Sequence, residues 1–125
     1  MATVYIESED VAHLQLYNDT GADLDQYEFA VIGDLAGVAD EAIDSLGTGF
    51  VHVEDGLLIQ TTNLETSEDT FATPNQSVYF NTADGKFSDT ETAGYYLVGQ
   101  LTQVKDAAGM IKFTKFRNAT LIVGT

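Results

Sequence analysis

Short runs in which apolar and polar residues alternate recur along the chain, most of them ended by a glycine- or acid-bearing turn, the period of half-buried strands. Residues 11–17 place Leu14 and Leu16 on one side and His13, Gln15 and Tyr17 on the other, and NDTG at 18–21 ends the run. Residues 27–32 are a β-branched and aromatic run that stops at Gly33. Residues 48–53 and 57–61 are two more, separated by EDG, which reads as a hairpin turn. The clearest hairpin joins residues 77–80 to Phe87 and Ser88 through NTADGK, with Asp84 and Gly85 supplying the left-handed turn conformation. Residues 95–104 and 111–116 flank DAAG as another pair, and residues 119–123 read as a last strand. The polar stretch 63–73, before the single proline Pro74, reads as a surface loop.

The stretch GDLAGVADEAIDSLGTGFVHVEDGLL, residues 33–58, allows two readings. Leu35, Val38, Ala39, Ala42, Ile43 and Leu46 recur at helical spacing behind Asp34 and before Gly47. Yet Gly37, Gly47, Gly49 and Gly56 punctuate it, and Phe50, His52 and Glu54 alternate with Val51, Val53 and Asp55 as in a strand. No internal repeat is apparent. Strands at a spacing of about 8–12 residues with glycine-rich turns argue for a mainly β domain, a small β-sandwich or barrel-like fold. The 125 residues suit one domain, over 11–125. Ahead of it, the β-prone residues 4–6 run into Glu7, Ser8, Glu9 and Asp10, which cannot be buried together, so residues 1–10 read as an extended arm.

Composition narrows the function classes. Hydrophobic content of 44% supports a folded core. The absence of cysteine removes disulfides, thiolate nucleophiles and Cys-based zinc sites. MATVYIESED has neither the basic nor the apolar region of a signal peptide, and no apolar run nears the roughly 18 residues of a membrane span. A soluble protein made inside the cell, without a membrane partner, is the expectation. Twenty Asp and Glu against five Lys and Arg give a formal net charge of −15. Lys86, Lys105, Lys112, Lys115 and Arg117 all follow position 85, whereas seventeen acids precede it. Nucleic-acid binding needs basic side chains to replace phosphate counterions, so DNA or RNA is not expected as a ligand. Solubility alone accounts for such a charge.

Candidate chemistry is sparse. His13 and His52 lie far apart with no HxH or HExxH spacing, so a metal site would need a tertiary meeting, and none is expected. Paired carboxylates at Asp23 and Asp25, Asp40 and Glu41, Glu54 and Asp55, and Glu68 and Asp69 are too many for one pair to stand out as an acid/base couple. Asp23, Asp25 and Glu28 imitate part of a calcium loop but lack its central glycine and terminal bidentate Glu. Neither GxxxxGK[ST] nor GxGxxG occurs. No catalytic residue and no cofactor is expected, and an enzyme is not the reading.

VIGDLAGVADEAIDSLGTGFVHVEDGLLIQ at 31–60, VYFNTADGKFSDT at 78–90 and YLVGQLTQV at 96–104 together resemble the DUF2190 family of tailed-phage and prophage proteins, whose characterised relatives are capsid decoration (cement) proteins. The resemblance covers residues 27–104. It implies a β-tulip or β-sandwich domain, a homotrimer on the outer surface of the virion capsid, made in the host cytoplasm and partnered by the major capsid protein. It also implies that residues 35–39 are a strand and 40–47 a corner, overruling the helical count, with the glycines in independent support. Such a protein binds by summing modest contacts over several capsomers. Thr3, Val4, Tyr5 and Ile6 are the candidate capsid-binding arm, able to add a strand to an exposed sheet edge. The basic stretch 105–117 is either a contact region or, through Lys112, Lys115 and Arg117, the exposed side of one strand. Two rivals come from other classes: an acidic DNA mimic, and a glycan-binding or host-attachment module using Tyr95 and Tyr96.

Overall fold

The computed structural model describes residues 13–65 and 70–124. The arm at 1–10, with Thr3, Val4, Tyr5 and Ile6, lies outside the described residues. The protein is all-β, with no helix among the described residues and nine strands: β1 (His13–Tyr17), β2 (Phe29–Ile32), β3 (Leu35–Ala39), β4 (Thr48–His52), β5 (Leu58–Thr61), β6 (Ser77–Asn81), β7 (Lys86–Ser88), β8 (Tyr96–Gln103) and β9 (Ile111–Leu121). They form one antiparallel sheet in the order β1-β4-β3-β9-β8-β6-β7, with β2 added on β3 and β5 on β9.

The sheet has two halves, β1–β4 and β5–β9, whose strand ladders meet at Leu35 opposite Asn118. Each half has its own core. Leu24, Ala30, Ile32, Ala39, Ile43, Val51 and Val53 make an aliphatic cluster in the first. Phe71, Phe80, Phe87, Phe113 and aliphatic neighbours make an aromatic one in the second. The hairpin β2–β3 is the wall between them. Side chains alternate across a strand, so Phe29 and Val31 join the aromatic cluster while Ala30 and Ile32 join the aliphatic one. That two-sided burial explains why FAVI is continuously apolar.

Several turns share one device. In Asp25-Gln26-Tyr27-Glu28, Asp44-Ser45-Leu46-Gly47, Thr73-Pro74-Asn75-Gln76 and Thr92-Ala93-Gly94-Tyr95, the fourth N–H donates to the first carbonyl at 2.9–3.3 Å. The third residue has positive φ in each (68°, 66°, 66° and 90°), the mark of a type II turn, and a strand follows two residues later. Asn75 and Gly94 suit that position. Tyr27 and Leu46 do not, because a Cβ in the left-handed region costs about 1–2 kcal/mol.

The structure settles the ambiguous stretch as strand, corner and strand, with β3 at Leu35–Ala39 and the corner held by an antiparallel bridge between Leu24 and Ile43. The strand packing requires glycine at 37 and 49, where an added Cβ would sit 2.4 Å from Val51 and 2.5 Å from Ile43. Other expectations are corrected. EDG is not a hairpin turn, since β4 pairs with β1 and β3 whereas β5 crosses to β9. Residues 119–123 add no separate strand, because β9 runs unbroken from Ile111 to Leu121. Tyr27 belongs to the turn before β2, not to the strand. The stretch 63–73 is not all surface: Phe71 is fully buried, and Leu64 bridges Phe87 and packs on the aromatic core. Of Asp84 and Gly85, only Gly85 has positive φ.

Candidate functional site

Eight of the acids among the described residues accept backbone N–H groups. Asp19 accepts the N–H of Gly33, Asp23 that of Ser45, Glu28 that of Asp25, and Glu41 that of Phe50. Asp55 accepts from Arg117, Asp84 from Lys86, Asp89 from Thr70 and Phe71, and Asp106 from Ala108 and Met110. A carboxylate supplies a backbone N–H in a turn, or on the strands at Phe50, Lys86 and Arg117, with a charge-assisted partner, so part of the acid content serves the backbone of the fold. Asp23 and Glu28 are engaged in this way and do not converge with Asp25 on a common point as calcium ligands would.

Asn18 plays the same part inside the fold. It is buried, and its Nδ2 donates to Ala22 O at 2.8 Å and Ile43 O at 3.1 Å while Oδ1 accepts from Thr20 N at 3.1 Å. NDTG is thereby tied to the corner that follows β3.

The second expectation for Lys112, Lys115 and Arg117 fails at Lys115, which is fully buried on the inward face of β9 with Ile111 and Phe113. Its Nζ donates to Ala36 O (2.8 Å), Val53 O (3.1 Å) and Phe116 O (2.9 Å), using all three ammonium protons. Burial pushes the ammonium down from 10.5 to about 8, with Asp55 and Glu54 opposing and Arg117 adding to the shift. Lys115 remains charged at neutral pH and straps β9 to β3 and to the end of β4, across the two halves.

Tyr95 and Tyr96 do not form an exposed stacking platform. Tyr96 packs on the aromatic core, and the Tyr95 hydroxyl donates to Glu65 Oε1, which Asn81 Nδ2 also approaches at 3.3 Å. The hydrogen bond to Glu65, followed by burial and the charges of Glu65 and Asp84, raises the Tyr95 phenol to about 12.

Large apolar side chains are exposed on both halves, Leu58, Val104, Leu121 and Val123 on the second and Tyr17, Tyr27, Leu46 and Phe50 on the first, where two of them share a sheet face. The outward face of β1–β4 pairs His13 with His52, Gln15 with Phe50 and Tyr17 with Thr48. Tyr17 and Phe50 are 52% and 41% exposed, and the turn residues Tyr27 and Leu46 reach 72% and 69%. The two outermost strands of the sheet path also differ. β7 is covered by segment 63–65, with Phe87 N donating to Asn63 O and Glu65 N to Phe87 O. Among the described residues β1 pairs only with β4. A groove lined by Tyr27, Phe29, Val38, Leu58, Ile59 and Phe87 runs between the halves. Sequence reasoning found none of Phe50, Tyr27 or Leu46 as surface features, since an apolar residue in a strand-like run is ordinarily assigned to the core. No catalytic constellation accompanies this surface among the described residues.

An all-β domain that turns many of its acids onto its own backbone and exposes Tyr17 and Phe50 on one sheet face has the make-up of a binding or structural module. The chain belongs to the phage cement protein family, whose model matches residues 8–116. That family carries a structural role on the phage capsid, in agreement with the resemblance read from the sequence. No curated protein and no solved structure matched the chain.

Proposed function

We propose that the protein is a decoration protein that binds the outer surface of the phage head as a homotrimer, contacts the major capsid protein and stabilises the junctions between capsomers. The family match over residues 8–116 carries this reading. In it, Thr3, Val4, Tyr5 and Ile6 add a strand to an exposed edge of the capsid protein, and single modest contacts sum through avidity once a trimer engages several sites. The exposed Tyr17 and Phe50 on the β1–β4 face supply apolar contact area. Lys105 and Lys112 lie in the basic stretch and give a salt-sensitive contribution. The function calls for no catalytic step.

The test mixes purified protein with heads assembled without it and measures co-sedimentation and the temperature of head disruption. Saturable binding in multiples of three copies with a raised disruption temperature is expected. Deletion of residues 2–8 should weaken binding, and undiminished binding by that deletion variant would remove the arm from the reading. Failure of the intact protein to bind heads would overturn the function itself.

A further inference from the structure

The two histidines that no sequence motif connects meet in the fold. His13 on β1 and His52 on β4 are direct cross-strand partners, with ring centroids 3.7 Å apart and planes tilted by 55°. Asp40, one residue past β3, faces both: Oδ1 lies 3.1 Å from His52 Nε2 and Oδ2 lies 3.4 Å from His13 Nδ1. We propose that His13, Asp40 and His52 bind a divalent transition-metal ion of the zinc class, with two imidazoles and one carboxylate as ligands and water completing the shell.

Three features support this. The geometry fits: metal–ligand bonds of about 2.0–2.1 Å in a tetrahedron put neighbouring ligand atoms about 3.3 Å apart. Each imidazole lies near that distance from one oxygen of Asp40, His52 Nε2 from Oδ1 and His13 Nδ1 from Oδ2, and one ligand atom from each of the three residues lies within 4.8 Å of the others, so a modest closing of the side chains brings them onto one ion. The donor set fits, since two neutral imidazoles and a carboxylate suit zinc and its neighbours, whereas calcium and magnesium want oxygen alone. Finally, the backbones beneath the ligands are fixed before any ion arrives. Register pins His13 opposite His52, Val38 of β3 pairs with His52, and Asp40 N donates to Phe50 O at 2.9 Å. The neighbouring Glu41 is occupied by Phe50 N, leaving Asp40 as the carboxylate aimed at the rings.

An ion here would cross-link three strands, tying the outermost strand β1 to β4 and to the end of β3. The site's weakness is also legible. His52 Nδ1 is buried without a hydrogen-bond partner, and metal-binding imidazoles usually donate that second N–H to an acceptor. Loss of such a partner weakens affinity by roughly 10–100-fold, so a moderate site is expected and not a tight one. The proposal is independent of capsid binding.

The test uses the full chain without a polyhistidine tag, stripped by chelator and titrated with ZnCl2 in excess Mg2+, which occupies carboxylate-only sites. One zinc per chain by calorimetry is expected, together with visible d–d bands of tetrahedral type when Co2+ replaces zinc. At zinc about 100 times its Kd, the unfolding equilibrium constant should fall about 100-fold. His13→Gln and His52→Gln should each lose at least tenfold in affinity and abolish the Co2+ bands, with Asp40→Asn losing less. In the unsubstituted protein, zinc should shift the imidazole 15N resonances of both histidines together, a readout that needs no folded variant. Zinc binding unchanged in the double His→Gln variant, or imidazole resonances that do not move, would overturn the site and leave an Asp40 hydrogen-bonded between two histidines.

Discussion

The two halves of the sheet are built from different materials. In β5–β9 the core is aromatic, with Phe80, Phe87 and Phe113 packed around Phe29 at centroid distances of 4.9–6.2 Å. In β1–β4 it is aliphatic and includes alanines at positions 30 and 39. A buried phenyl removes about 150–250 Å² from water, several times what an alanine methyl removes, and well-placed rings add about 0.5–1.5 kcal/mol per pair. The second half therefore holds most of the packing energy. The first half exposes Tyr17, Tyr27, Leu46 and Phe50, with Tyr17 and Phe50 on one sheet face, while the exposed Leu58, Val104, Leu121 and Val123 of the second are scattered over β5, the end of β9 and segments outside the strands. The first half also holds the outermost strand β1, which pairs only with β4 among the described residues, and two type II turns with an unsuited residue in the left-handed position. A division follows in which the aromatic half supplies more of the packing and the first half presents Tyr17 and Phe50 together on one exposed sheet face. Lys115 couples them.

The largest expected effect comes from emptying the aromatic core. Phe113→Ala should cost about 3–5 kcal/mol in chemical denaturation, whereas Ile43→Val in the aliphatic core should cost only about 0.5–1.5 kcal/mol. Equal losses at comparable truncations in the two halves, for instance Phe113→Leu and Ile43→Val, would erase the distinction. Next in size is the strap. Lys115→Met keeps the volume but takes a charged donor from three carbonyls, and about 2–4 kcal/mol should be lost.

Lys115 also leaves a signature in pH. Its folded value of about 8 lies below the ordinary 10.5. Between those values the unfolded chain holds a proton that the folded chain has released, so the contribution of this group to stability rises with pH across that window and is flat below it. Lys115→Met should abolish the rise. Tyr95 has the opposite sign. With its phenol raised from 10.0 to about 12, the folded chain keeps a proton that the unfolded chain loses. Its contribution is present below pH 10 and lost between 10 and 12, and Tyr95→Phe should flatten that fall in a denaturation series.

The smallest effect is the most informative about function. Leu46→Asn places a residue tolerant of the left-handed region at φ 66° and should raise stability by about 0.5–1 kcal/mol. If the strained Leu46 is kept for contact with the head, the same variant binds heads more weakly. Gained stability with unchanged binding would show that the strain serves no contact.

Much of the fold was legible because period-2 alternation and glycine punctuation are local signals. β4 and the NTADGK hairpin fell where alternation and turn residues placed them, whereas β3 was placed by the family resemblance and its glycines against a helical count. The pairing of β5 with β9 was not legible, since strands separated by one short turn ordinarily pair with each other and nothing local marks a crossover. Lys115 was misassigned because a lone lysine in a strand is ordinarily solvated, and the three carbonyls that receive it come from residues 36, 53 and 116. The meeting of His13, Asp40 and His52 was invisible for the same reason. Strand register creates it, and no spacing in the sequence encodes it.

The proposed function has the protein bind the head with the β1–β4 face in contact. Its most direct test is the number of copies bound per head by the unsubstituted protein and by Tyr17→Ser/Phe50→Ser, both checked for native thermal unfolding. Saturation by the first, in multiples of three, with a loss of at least tenfold in affinity by the second is the expected result. Binding by the folded double variant at undiminished affinity contradicts the placement of the contact, and no binding by either contradicts the claim as a whole.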